Sequence, residues 1–599
     1  MSLAARSVWA VAFSACLVLT SGTALARQPA AAGYQETARG AKGMIVAVEP
    51  FAAEAGLEIF RQGGNAADAA VAVAFALAVT HPQAGNLGGG GFMLIHLADG
   101  TDAMVDFRET APGAATADMY LGPDGKLAAG ASTRGWRSAG VPGSVAGLTL
   151  ALENYGTLPL ETVMAPAIRL ARKGFPVSTR LAAQLREHAP RLNRSLESRR
   201  IFLRDGKFFK PGDKLVQKDL ARTLQRIARK GSREFYDGAL AADFARESEF
   251  WTGLITREDL RGYRAVVRQP LRGSFRGYEV VTAPPPSSGG VALLEMLNML
   301  EILLGAKAAP DEVETLHLVA EASRRAFADR ARHLADTDFA DVPVAGLVSK
   351  GYAAACAATI SREKASASAS LETPDPRRYG GSPASPADGG ASLRREGDNT
   401  THLSVMDSAG NAVALTTTLN DSFGNGITVP GLGFLLNNVM DDFTIEPGAP
   451  NELFQLVQSD ANRIEPGKRP VSSMTPTLVL RDGKPVLALG SPGGGRIISA
   501  VTQVVLNRLQ FGDDLALAIA RPRLHHQWLP DALYVEEDGF TDAQLEALRA
   551  RGHTVLSITE LVSSWPRTVG RVTAVERNPQ TGELYGVADP RDASVARGY

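Results

Sequence analysis

A polar, loosely constrained stretch ends at one peptide bond and divides this chain into two unequal parts. Residues Lys364–Asn399 are crowded with Ser, Ala, Pro, Gly and charge, as in Ser366-Ala367-Ser368-Ala369-Ser370 and Ala387-Asp388-Gly389-Gly390. Such a segment has no periodic apolar face to bury, so it reads as a mobile loop or linker. A structureless run of this length inside a domain is uncommon and tends to be functional or disordered. Order resumes at Thr400. Thr401–Met406 and Ala412–Thr418 are strand-like and are joined by the turn formers Asp407-Ser408-Ala409-Gly410-Asn411. A second hairpin, Thr477–Arg481 with Pro485–Leu489, turns at Asp482-Gly483. Ser491-Pro492-Gly493-Gly494-Gly495 then leads into the helix-like Arg496–Leu509. The C-terminal third therefore alternates strand and helix.

Upstream of the polar stretch the periodicity is mostly helical, in Leu160–Lys173, Lys214–Lys230, Gly289–Leu304 and Glu312–Leu334. A helix over Phe51–Gln62 ends at Gly63-Gly64, and Asn65 caps the next one, Ala66–Thr80. That second helix is apolar nearly all round, but it is too short to span a bilayer and contains Asp68. A buried core helix is the expectation. Gly88–Gly91 is followed by the strand-like Phe92–His96 and not by a helix, so a tight turn is expected there and not a phosphate cradle. No internal repeat stands out.

The chain has 599 residues and a formal net charge of −1. It can bury a large core, and its length alone suggests several domains. Near-neutral charge leaves no electrostatic footprint for nucleic acid. Residues 1–26 read as a secretory leader: Arg6, then the apolar Val8–Leu19, then the small-x-small Ala24-Leu25-Ala26. The mature protein is expected to start near Arg27, to be exported to the periplasm or the medium, and to have no stable membrane span. Of the two cysteines, Cys16 lies in the leader, which leaves Cys356 alone and excludes an intramolecular disulfide or a Cys-rich metal site. His525-His526 are sequence neighbours and do not share a helical face as a metal pair would, so structural hydrogen bonding is expected. No metal and no organic cofactor are expected.

The Asn399-Thr400 boundary carries chemistry. A threonine hydroxyl is a poor nucleophile that needs an adjacent base, and a chain-terminal amine can be that base. Such an amine has a reference pKa of about 7.7–8.0, so a useful fraction is neutral near pH 7. Cutting between Asn399 and Thr400 would create nucleophile and base together. Taken alone, the segment reads as a Thr-rich strand start after a linker. The surrounding motifs decide: Asn399-Thr400-Thr401-His402-Leu403-Ser404-Val405, then Thr416-Thr417-Thr418-Leu419-Asn420, then Leu435-Leu436-Asn437-Asn438-Val439-Met440-Asp441-Asp442-Phe443. Arg469-Pro470-Val471-Ser472-Ser473-Met474-Thr475-Pro476-Thr477 and Gly490-Ser491-Pro492-Gly493-Gly494 follow. Upstream stand His81-Pro82, the glycine run and Asp106-Phe107-Arg108-Glu109.

This series closely resembles the γ-glutamyltranspeptidase (γ-glutamyltransferase) family, from about Gly43 to the C-terminal Tyr599. The resemblance implies an N-terminal nucleophile hydrolase: an α+β, four-layer αββα sandwich made as one chain that cuts itself. A large subunit, 27–399, would stay associated with a small subunit, 400–599, as one intertwined core. Thr400 would be the nucleophile, with Thr418 supporting it. Arg108, Ser472 and Ser473 would hold the α-carboxylate of a γ-glutamyl group, while Asp442 and Asn420 would hold its ammonium end. Gly493 and Gly494 would offer backbone N–H groups to the oxyanion. Glu446–Gln458 would form a lid with Phe454 as its gating aromatic. Phenylalanine cannot make the hydrogen bond that a tyrosine would, so a loose lid and more hydrolysis relative to transfer are expected. The implied partners are small molecules: glutathione and other γ-glutamyl compounds as donors, water, amino acids or peptides as acceptors.

One position departs from the family pattern. Where Gln or Glu usually precedes Met-Asp-Asp, this chain has Val439, and one polar contact to the α-amine is lost. Either γ-glutamyl groups bind more weakly, or an acyl group without an α-amine is preferred, as in glutaryl-cephalosporin acylases. An exported amino-acid-binding protein that never cuts itself is the reading outside the enzyme class.

Overall fold

The computed structural model describes residues 35–380, 400–562 and 567–599. The leader with Cys16, and Asn399 with most of the polar stretch before it, lie outside the described residues.

Two seven-stranded antiparallel sheets form the centre. The first runs in the order Val595–Gly598, Gly43–Ala47, Thr400–Asp407, Ala412–Thr418, Gly90–His96, Asp102–Asp106, Val266–Arg268. The second runs Thr37–Gly40, Leu584–Val587, Thr573–Arg577, Lys484–Gly490, Thr477–Arg481, Tyr278–Thr282, Leu271–Phe275. Both sheets combine strands from before and after Thr400, so neither side of that residue supplies a whole sheet.

Side-chain alternation explains the layering. In the first sheet Ile45, Met93, Ile95, Leu403, Val405, Val413 and Leu415 face one core, which the helices Pro50–Arg61, Ala66–Thr80, Ser144–Tyr155 and Leu160–Lys173 cover. Their neighbours Met44, Val46, Phe92, Leu94, Met406, Ala412 and Ala414 face the other core. That core joins the second sheet to the helices Gly289–Leu303, Val313–His333 and Arg496–Leu509. The result is the expected helix–sheet–sheet–helix sandwich. Strands buried on both faces read as continuous apolar runs without period-2 alternation.

The N-terminal part is mostly helical, as expected. It supplies strands to both sheets, among them Gly43–Ala47, Asp102–Asp106 and Tyr278–Thr282. The Ala66–Thr80 helix is buried along its whole length, as expected. Asn65 and Asp68 close a capping box, and Asp68 also accepts hydrogen bonds from the Thr157 and Leu158 N–H groups. Its charge is thus satisfied inside the protein. Among the described residues no helix is long and apolar enough to cross a membrane. Cys356 is free and buried. The Asp482-Gly483 turn has positive φ at both residues, 52° and 72°, as a two-residue hairpin turn requires.

Three expectations need correction. The helix expected over Lys214–Lys230 begins at Lys218, because Lys214–Leu215 pairs instead with Phe175–Pro176. The glycine run is not a tight turn: Gly90 and Gly91 already belong to the strand. Its glycines are needed for close approach, since a Cβ on Gly89 would lie 2.1 Å from the Thr418 carbonyl oxygen and one on Gly91 2.2 Å from that of Thr416. The polar stretch is not loose over its first half. The Ser368 backbone and hydroxyl are held by Asp531, Arg324 and the Trp528 indole, and Arg332 donates to the Leu371 carbonyl at 2.6 Å. Hydrogen bonds from a neighbouring helix do what an apolar face would otherwise do.

The close approach at Gly89 generates a prediction. Gly89→Ala should lower stability by about 1–3 kcal/mol, because the clash is with backbone and not with a flexible side chain. Gly305→Ala, which meets nothing within 4 Å, should stay within about 0.5 kcal/mol of the parent. Urea denaturation of both variants checks this.

Candidate active site

Thr400 opens a central strand of the first sheet and pairs directly with Thr418 at the end of the next one. In this register the two hydroxyls meet: Thr400 Oγ1 donates to Thr418 Oγ1 at 3.2 Å, and the Asn420 N–H donates to the same oxygen at 2.9 Å. Asn420 turns the chain out of the strand with φ 80°, a conformation that asparagine tolerates better than most residues. Its side-chain amide donates to the Asn438 carbonyl at 3.2 Å and also bonds Asp442.

His402 is the imidazole nearest to Thr400 in sequence. Its ring nitrogens are engaged by Thr416 Oγ1 at 2.8 Å and Ser404 Oγ at 3.1 Å. Burial pulls its pKa down to about 3, and its ring packs where a Cβ on Gly490 would be. It is a neutral inter-sheet contact and offers Thr400 no base. His525 is likewise bonded within the fold, to Ser499 Oγ at 2.7 Å and Gln527 Oε1 at 2.8 Å, and His526 Nδ1 accepts from the Trp528 N–H at 3.1 Å. These contacts match the structural role expected for the pair.

Thr400 lines a cavity together with Thr418, Asn420, Arg108, Asp442, Ser472, Ser473, Gly494 and Phe454. Arg108 follows the strand Asp102–Asp106 and is 1% exposed. Its guanidinium pairs with Asp442, with Glu109 at 3.3 Å and with the Pro470 carbonyl at 3.3 Å. The Tyr263 hydroxyl holds its own carbonyl at 2.9 Å. Burial raises the Asp442 pKa, although Arg108 pulls it back. Ser472 and Ser473 follow Pro470, and the Ser472 carbonyl accepts from both the N–H and the hydroxyl of Ser288, at 2.7 and 2.6 Å.

Gly493 and Gly494 form the strand-to-helix turn before Arg496–Leu509, with φ 135° and 56°. Gly494 faces the cavity beneath Phe454, whose ring would lie 2.4 Å from a Cβ there. Gly493 packs toward the Gly570 backbone. Phe454 is 6% exposed and packs among Phe327, Leu456, Ile498 and Trp528. Val439 is fully buried against Gly140 and, among the described residues, does not line the cavity.

Three residues of the site were not legible beforehand. Asp441 accepts from Ser132 Oγ at 2.6 Å and from the Leu453 N–H at 2.9 Å, which ties the Glu446–Gln458 segment to the turn carrying Asp442. Burial lifts its pKa to about 7. Gln458 donates to the Asp442 carbonyl at 2.9 Å. Arg330, from the Val313–His333 helix, lines the cavity at 3% exposure, and burial pulls its pKa down to about 10. An arginine inside a long helix carries no local signal of this; only the helix's packing brings it to the cavity.

Glu109 beneath Arg108 yields a pH prediction. Burial raises its pKa from 4.5 to about 7. The folded state therefore keeps a proton that the unfolded chain has lost, so this contribution is full below the unfolded value and disappears as pH rises through about 7. Glu109→Gln should remove that fall, gaining relative to the parent between about pH 5 and pH 8. Denaturation midpoints across that range check the sign.

Comparison with known proteins agrees with this geometry. The Gamma-glutamyltranspeptidase family model matches residues 52–599. The glutathione hydrolase proenzyme of Escherichia coli (strain K12) is 45% identical over 94% of this chain and 92% of its own length. The acylase ACY 1 proenzyme of Pseudomonas sp. (strain SE83) is 38% identical over 92% of this chain and 93% of its own length. A crystal structure of cephalosporin acylase from Bacillus halodurans superposes with a TM-score of 0.81 at 26% identity, covering 97% of this chain and 99% of that one. A family match over most of the chain, with the family's motifs gathered around one cavity, places this protein in the γ-glutamyltranspeptidase family.

Proposed function

We propose that this protein is a γ-glutamyltransferase that also hydrolyses glutathione, and that it matures by cutting itself between Asn399 and Thr400. The observation that carries this reading is the placement of Thr400 at a strand start in the cavity that holds Arg108 and Asp442. The new Thr400 amine takes the proton of its own hydroxyl, directly or through water, a role for which neither nitrogen of His402 is available. The hydroxyl oxygen attacks the γ-amide carbonyl, and the Thr418 hydroxyl holds the nucleophile in place. Gly493 and Gly494, at a glycine turn with an electropositive helix N-terminus behind it, supply N–H groups to the oxyanion. The amine product leaves with that proton, and water or an amino acid or peptide then opens the γ-glutamyl ester. Ping-pong kinetics follow.

Donor recognition rests on charge. Arg108 with Ser472 and Ser473 takes the α-carboxylate, and Asp442, positioned by Asn420, takes the α-ammonium. The mutual pairing of Arg108 and Asp442 keeps both buried charges matched until a zwitterion replaces each partner. The large subunit is 27–399 and the small subunit 400–599, and the leader exports the chain to the periplasm or medium.

Glutaryl hydrolysis is the second reading, because Val439 brings no polar group to the ammonium. Full-length relatives named as glutathione hydrolases reach 45% identity against 38% for the acylase, which favours the first. N-terminal sequencing of purified protein should find a fragment beginning Thr400-Thr401-His402, absent in Thr400→Ala. A single uncut, well-folded parent chain would sink the proposal and favour a binding protein. γ-Glutamyl anilide should be turned over faster than glutaryl anilide, and the reverse order would select the acylase reading. Phe454→Tyr should shift product partition from hydrolysis toward transfer, read as the ratio of free glutamate to γ-glutamyl dipeptide.

A further inference from the structure

Arg330 is a buried guanidinium with an unusual set of partners. Several other buried arginines of this fold sit against carboxylates: Arg108 against Asp442 and Glu109, Arg324 and Arg325 against Glu321, Arg523 against Asp589. Arg330 has no carboxylate of the described residues within ion-pair distance. Its hydrogen bonds go to two hydroxyls, from Nε to Ser288 Oγ at 3.0 Å and from Nη2 to Ser473 Oγ at 3.4 Å. Its neighbour Asp329 is engaged elsewhere, accepting from Tyr352 and Thr373 at 2.6 and 2.7 Å. Leaving a cation buried without a direct counter-ion is costly. Here the guanidinium also faces the cavity that holds Thr400.

The hydroxyl geometry gives the cation a direction. Ser288 Oγ accepts from Arg330 and sends its own proton to the Ser472 carbonyl at 2.6 Å. Ser473 Oγ also accepts from Arg330 and lines the cavity, so its O–H is left to donate to another group. Charge points the same way: Arg108 is already matched by Asp442 and Glu109, whereas Arg330 meets only hydroxyl groups at this cavity. An arriving carboxylate completes the balance, whereas an acyl group without one leaves Arg330 unmatched.

We propose that Arg330 is a specificity-determining and positioning residue of this site, which selects acyl donors bearing a free carboxylate by supplying the unmatched charge and by orienting the Ser473 hydroxyl. The inference rests on the transferase reading above and adds to it the group that makes the carboxylate obligatory.

The test uses the self-cut enzyme with two donors: γ-glutamyl p-nitroanilide, and 4-aminobutanoyl p-nitroanilide, which keeps the ammonium and lacks the carboxylate. Arg330→Gln should raise KM for the first about 10–100-fold, the weight of a lost charge-assisted bond. Its effect on the slow turnover of the second should be much smaller, so discrimination between the donors falls. Arg330→Lys, which keeps the charge and loses the fork, should recover part of it. Unchanged KM in a self-cut Arg330→Gln enzyme, or an equal loss on both donors, overturns the proposal by reducing Arg330 to a structural role. If Arg330→Gln fails to fold and cut, the parent enzyme decides. Competitive inhibition by glutamine should then be at least about tenfold tighter than by 4-aminobutanamide, which differs from it only in lacking the carboxylate, and equal or reversed inhibition overturns the proposal. An uncut parent chain would instead defeat the underlying reading, so the two failures are distinguishable.

Discussion

The pairing of Thr400–Asp407 with Ala412–Thr418 is the constraint on which the site depends. Its register sets Thr400 opposite Thr418 and places their hydroxyls in contact. A slip of one residue would send every side chain of the strand to the opposite face. The slip is prevented from both sides, because Leu403 and Val405 belong to one core and Met406 to the other. The next strand, Gly90–His96, approaches so closely that its glycines tolerate no side chain. Thr400 is thus positioned by a strand that is buried along its whole length.

Around that fixed point the cavity is an arrangement of buried charge. Arg108 and Asp442 come from opposite sides of Thr400, at sequence positions 334 residues apart, and neutralise one another. Glu109 and Asp441 lie behind them, both lifted to about 7 by burial. Removing one partner of a buried pair leaves an uncompensated charge, so binding groups of this kind respond to substitution more strongly than surface ion pairs do. Asp441 extends the network to the backbone of the Glu446–Gln458 segment. The floor of the cavity and the segment over it therefore share one carboxylate.

The polar stretch before Thr400 is held for its first half by residues of the C-terminal part. Trp528 and Asp531 bond Ser368 at 2.9 and 2.8 Å, and Arg332 stands 5.3 Å from the Trp528 ring. Hydrogen bonds and a cation–π contact anchor a segment that has too little apolar surface to anchor itself.

Several features followed from local sequence alone. The Ala66–Thr80 helix was legible because a capping box and an all-apolar surface are local properties. The hairpins at Ala412–Thr418 and Thr477–Arg481 were legible because turn chemistry is local too. The motifs around Thr400, Arg108, Asp442 and Gly494 pointed to one chemistry, because each keeps its residue types at fixed short spacing. What the sequence could not decide were relations across the fold. Gly43–Ala47 is a short apolar run buried on both faces, which helix and strand periodicity do not separate. The glycine run resembled a turn until the facing backbone of Thr416 and Thr418 was seen. Arg330 and Asp441 are ordinary charged residues in sequence, and only packing brings one to the cavity and the other to the segment above it. Sequence determines which local conformations and chemistries are available. Tertiary structure decides which side chains are buried together, and burial is what turns charges and hydroxyls into a site.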